Sequence, residues 1–86
     1  MNNVYYTPSF LRQFKKLEPS LREEVSQKIK LFREDPKNHQ LKTHRLKGRL
    51  KGSSNFSVNY QYRIIFETLS ANEFALTAIG NHDIYK

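Results

Sequence analysis

The sequence predicts an α+β domain of order β-α-α-β-β-β, a helical hairpin packed on one face of a small antiparallel sheet. Two stretches between Phe10 and Phe32 repeat apolar residues at helical spacing, with Pro19 between them. After Pro36 the period changes to two, and turn-forming clusters separate the later apolar runs. A meander of short strands covered on one side by two helices is the economical way to bury both patterns.

Each element has its own signals. Val4, Tyr5 and Tyr6 read as a short opening strand. Thr7 can cap a helix, and Pro8 fits its first position, where a missing N–H costs nothing. Phe10, Leu11, Phe14 and Leu17 give that helix its apolar face. Glu18-Pro19-Ser20 breaks it and starts another, with Leu21, Val25, Ile29 and Phe32 as the stripe and Glu23 and Glu24 expected in its first turn. Pro36 disfavours the α region in the residue before it, so this helix should end near Glu34 or Asp35. The segment 37–51 reads as polar and basic, anchored by Leu41, Leu46 and Leu50. Gly48 and then Gly52-Ser53-Ser54-Asn55 are turn signals. Phe56, Val58 and Tyr60 alternate with Ser57, Asn59 and Gln61 as a half-buried strand would. Further strands are expected over 62–67 and 74–79, with a turn at 70–73 and a tail beginning at His82.

At 86 residues the chain has room for one hydrophobic core, so a single domain over 1–86 is expected. Six Phe and five Tyr supply the apolar material. The absence of cysteine removes disulfides, thiolate nucleophiles and cysteine metal sites together. No apolar run approaches the ~18 residues of a membrane span. Met1-Asn2-Asn3-Val4 lacks a basic-plus-apolar leader pattern, and a cytoplasmic setting is expected.

The net charge of +7 is concentrated. Residues 37–66 hold Lys37, Lys42, Arg45, Lys47, Arg49, Lys51 and Arg63 and no acid, while the rest of the chain sums to zero. A local positive field of this kind attracts polyanions, nucleic acid foremost.

The sequence has no phosphate-cradling P-loop, HExxH or GxSxG pattern. The spacings of His39, His44 and His82 match no metal motif. His39 lies in a polar loop and is expected to be solvated. His44 opens the run His44-Arg45-Leu46-Lys47-Gly48, and His82 follows the last strand with Tyr85 three residues on. Histidine titrates near neutrality and can both take and give a proton, so the two together suit acid–base work. Alternation puts Arg63 and Ile65 on one face of their strand and Tyr62, Ile64 and Phe66 on the other. The apolar trio should meet the helices, which turns Arg63 to the open face. There it either pairs with Glu67 or clamps a phosphate, which guanidinium binds bidentately.

The Phe-rich hairpin, the run 44–52 (HRLKGRLKG), Tyr62-Arg63-Ile64-Ile65-Phe66 and the ending Ile79-Gly80-Asn81-His82-Asp83-Ile84-Tyr85 together resemble the RelE/ParE superfamily of toxin–antitoxin toxins. The H-x-L-x-G segment and the G-x-H ending are most similar to its YafQ branch. The resemblance implies a microbial-RNase-like fold without the usual Glu/His pair. It also implies an mRNA interferase acting in the ribosomal A site, partnered by an antitoxin and needing no cofactor. By resemblance, His44, Arg63, His82 and Tyr85 are the catalytic residues, and Lys42, Arg45, Lys47, Arg49 and Lys51 meet RNA. Ser57 and Gln61 stand where the YafQ branch carries a further histidine and an acid. The implied reaction is attack of the ribose 2′-OH on the adjacent phosphorus, with cationic side chains stabilising the phosphorane. Which histidine is base and which acid stays open. The same superfamily includes ParE-type inhibitors of DNA gyrase, the competing expectation.

Overall fold

The computed structural model of the chain describes residues 2–46 and 52–81. Along them run β1 (Asn3–Tyr6), α1 (Pro8–Lys15), α2 (Pro19–Glu34), a 3-10 turn (His39–Leu41), β2 (His44–Arg45), β3 (Ser53–Ser57), β4 (Tyr62–Ser70) and β5 (Glu73–Asn81). Lys47, Arg49, Lys51, His82 and Tyr85 lie outside the described residues, as do Gly48 and Leu50.

The helical hairpin forms where its punctuation places it. Thr7 is extended, and its Oγ1 accepts a hydrogen bond from Phe10 N at 3.2 Å. The same hydroxyl donates to Leu76 O at 2.9 Å, so the cap also fastens α1 to β5. α2 ends at Glu34, with Asp35 as its C-cap, one residue before Pro36. One expectation is corrected. α2 starts at Pro19, which leaves no acid in its first turn and moves Glu23 and Glu24 one turn on. Glu24 Oε1 there accepts from Asn59 Nδ2 at 2.7 Å, tying the helix to the β3–β4 turn.

The five strands lie in the order β1-β5-β4-β3-β2. β3, β4 and β5 form the expected antiparallel meander. β1 instead runs parallel to β5, with Val4 opposite Phe74, so the sheet is mixed. A parallel partner needs a long connection, and nearly the whole chain intervenes here. β1 leaves the edge of β5 at Leu76, where Thr7 N donates to Leu76 O at 3.2 Å. Beyond that point Gln13 of α1 takes over, its Oε1 accepting from Ile79 N at 2.8 Å. The helix thereby satisfies the strand that leads to residue 82.

Two further expectations are corrected. β3 occupies Ser53–Ser57 rather than 56–61. Val58–Gln61 is a turn, held by Asn59 Oδ1 accepting from the backbone N–H of Gln61 and Tyr62, each at 2.8 Å. An asparagine that satisfies two turn amides ends a strand that alternation alone would continue. The basic segment also carries a strand, since His44 and Arg45 pair with Asn55 and Ser54. Lys42, in the left-handed region at φ 48° and ψ 51°, closes the 3-10 turn just before β2.

The core lies between the helices and the sheet. Phe32 of α2 is fully buried at its centre, with ring centroids 4.5 Å from Phe56, 4.8 Å from Phe66 and 4.9 Å from Phe74. At the outer edge the Tyr5 hydroxyl donates to Glu73 Oε2 at 3.0 Å, and this carboxylate raises the Tyr5 pKa above its ordinary value.

Candidate active site on the far face of the sheet

Residues directly opposite in an antiparallel ladder point to the same face. His44, Asn55, Ile65 and Ala78 form one such row across four strands, and Ser57, Arg63 and Gly80 form the next. Phe56, Ile64 and Ile79 alternate with them and belong to the core. Arg63 therefore faces away from the helices, as alternation predicts. His44 joins this face only because β2 exists.

The face is not bare. Asn55, Ser57 and Ile65 are all buried on it, at 3%, 7% and 3% exposure, and they outline a firm floor rather than a solvated sheet. Arg63 is half-buried and His44 exposed. The Arg63 Nη1 donates to Asn55 Oδ1 at 3.1 Å. Glu67 is four residues further along β4, about 13 Å away at strand rise, which is why the guanidinium takes the amide instead. Ser57 Oγ donates to Asn59 O at 2.7 Å and is occupied in holding the turn.

His44 and Arg63 sit two strands apart and two residues out of line, about 12 Å between their backbone positions at ordinary strand spacing and rise. Arg63 reaches toward β3, where Asn55 accepts its hydrogen bond. The arrangement pairs a fixed cation with a group able to move a proton.

The other expected residues within the described segments lie outside these two rows. Lys42 is exposed before β2. Arg45 is exposed in the row of Ser54 and Phe66, hence on the helix side of the sheet. Gln61 is exposed in the β3–β4 turn, and His39 is exposed at the start of the 3-10 turn. Among the described residues no three His, Asp or Glu side chains gather as a metal site would require. Asn55 is the residue that sequence reasoning missed, because Gly-Ser-Ser-Asn reads as a turn. The signal available was the alternation of Ser53, Asn55 and Ser57 with Ser54, Phe56 and Val58.

No family model and no curated protein sequence matches the chain. Solved structures do. YafQ from E. coli strain BL21(DE3) superposes with a TM-score of 0.77 at 16% identity, covering 95% of this chain and 94% of that one. The structure of the toxin–antitoxin complex RelBE2 from Mycobacterium tuberculosis gives 0.77 at 16% identity, covering 94% and 98%. A heterotetrameric YoeB–YefM toxin–antitoxin complex from Staphylococcus aureus gives 0.68 at 17% identity, covering 95% and 98%. The chain has the α+β fold of the RelE-like toxins, YafQ among them.

Proposed function

We propose that this chain is the toxin of a type II toxin–antitoxin pair, a ribosome-dependent endoribonuclease that cleaves mRNA by 2′-OH attack. The observation that carries the proposal is Arg63, held by Asn55 on a firm sheet face that His44 shares. The likeness to YafQ, RelBE2 and YoeB–YefM supports the toxin role. In this reading Arg63 binds the scissile phosphate and stabilises the charge that develops on the phosphorane oxygens. His44 and His82 are the acid–base pair: one takes the 2′-OH proton, and the other protonates the leaving 5′-oxygen. Tyr85 stacks on a base or orients the phosphate.

The basic segment serves as the RNA-binding edge. Binding to single-stranded RNA releases counterions, with a log–log salt slope of about −0.7 per neutralised phosphate. Engagement of Lys42, Arg45, Lys47, Arg49 and Lys51 gives a slope approaching about −3.5. Charge reversal at Lys42 or Lys47 is expected to flatten it by about 0.7, and at Arg45, on the other side of the strand, by least. Fluorescence titration of labelled RNA at several salt concentrations reads these slopes, and a curve flat in salt contradicts the assignment.

The antitoxin has a surface to meet. Tyr6, Leu11 and Phe14 line an apolar groove of 410 Å³ across the helices, with Lys30 and Arg33 on its rim. An amphipathic segment with an acidic border complements it. The functional test is induced expression alone and together with an adjacent small reading frame, where the antitoxin is expected to be encoded. The expected result is arrest with halted translation, relieved by that neighbour. Arrest with DNA damage and intact mRNA would favour the gyrase-inhibitor reading instead.

A further inference from the structure

We propose that Asn55 is a positioning residue that holds the Arg63 guanidinium over the scissile phosphate. The proposal rests on the nuclease reading above and names a residue to which neither the motifs nor the basic segment points. Asn55 is 3% exposed on the central strand of the site, where burying an amide is costly unless it is hydrogen-bonded. Its Oδ1 accepts from Arg63 Nη1 at 3.1 Å. Guanidinium carries donors only, so the chemistry fixes the orientation of the amide: oxygen toward Arg63. Asn55 also lies directly opposite His44 on β2 and Ile65 on β4, which puts it between the strands of the cation and of the imidazole.

A neutral partner suits this task. A carboxylate in the same place would hold Arg63 more tightly but would neutralise the charge needed at the phosphorane. The amide oxygen fixes one edge of the guanidinium and leaves its charge and remaining donors for phosphate. Without it, the long side chain regains its rotamer freedom, and misplacement by about 1 Å is enough to slow a positioned reaction substantially.

The test is a double-mutant cycle read in single-turnover cleavage on programmed ribosomes, with Asn55→Leu beside Asn55→Ala. Leu keeps the shape of Asn and removes the acceptor, so it stands in if the smaller side chain does not fold. The expected result is about tenfold slower cleavage at saturating ribosomes, little change in half-saturation, and, when the two changes are combined, no loss beyond that of Arg63→Ala alone. Asn55 and His44→Gln effects should multiply instead. In parallel, the ¹⁵N–¹H correlation of the Arg63 guanidinium should sharpen into a single averaged signal in either Asn55 variant. This second measurement needs no activity. A wild-type protein that cuts nothing, yet shows an Asn55-dependent Arg63 signal, fails the nuclease reading while keeping the positioning. An unchanged Arg63 signal, or Asn55 and Arg63 losses that multiply, overturns the positioning itself.

Discussion

His44→Gln is expected to slow mRNA cleavage about 10²–10⁴-fold, the usual contribution of a general acid or base. Gln keeps the approximate size and the hydrogen bonding but cannot relay a proton near neutral pH. His44 is exposed on a two-residue edge strand, so the fold should survive the change with a melting midpoint near wild type. His82→Gln carries the same expectation on the same grounds of residue type. Arg63→Ala should cost about 10²–10³-fold in the chemical step and weaken RNA binding as well. Growth arrest on induction, measured beside single-turnover cleavage, separates these effects from misfolding. If both histidine variants stay fully toxic, the acid–base assignment is wrong.

Phe32→Ala is expected to destabilise the protein by about 3–5 kcal/mol. The ring is fully buried, stacks on Phe56, tilts against Phe66 and meets Phe74 edge-on. Its loss removes aromatic contacts from three strands at once and leaves a void that β3, β4 and β5 cannot close without disturbing their ladder. A domain of this length has a total stability of about 4–13 kcal/mol. The variant should therefore sit near its unfolding midpoint at modest urea. Toxicity should vanish with the fold, unlike in His44→Gln, where only the reaction is lost. Urea titration followed by far-UV circular dichroism gives the value. A loss under about 1 kcal/mol would mean that α2 is not seated on the sheet through this ring.

The helices were legible because their signals are local. Thr7, Pro8, Pro19 and Pro36 mark the ends, and Phe10, Val25, Ile29 and Phe32 recur at the helical period and are buried. The inward trio Tyr62, Ile64 and Phe66, and with it the outward turn of Arg63, followed from strand alternation in the same way. What the sequence hid depends on partners far along the chain. β1 pairs parallel with β5, across 70 residues of separation at Asn3 and Glu73, and no local pattern encodes that choice. β2 and the first half of β3 are polar, because their side chains line the far face or the sheet edge, so they read as loop and turn. The site suffered most from this. His44 and Arg63 were visible as residue types, but Asn55, which holds Arg63, was concealed in a run of turn formers.

The most direct test of the nuclease reading is the chemistry of the cut ends. Purified protein is added to ribosomes translating a defined mRNA, and new termini are mapped and their end groups identified. Attack by the 2′-OH breaks the P–O5′ bond, so the upstream fragment must end in a 2′,3′-cyclic phosphate and the downstream fragment must begin with a 5′-hydroxyl. The expected result is such ends within translated codons, absent with His44→Gln and absent when the ribosomes are omitted. Fragments beginning with a 5′-phosphate, or intact mRNA beside a full growth arrest, would contradict it.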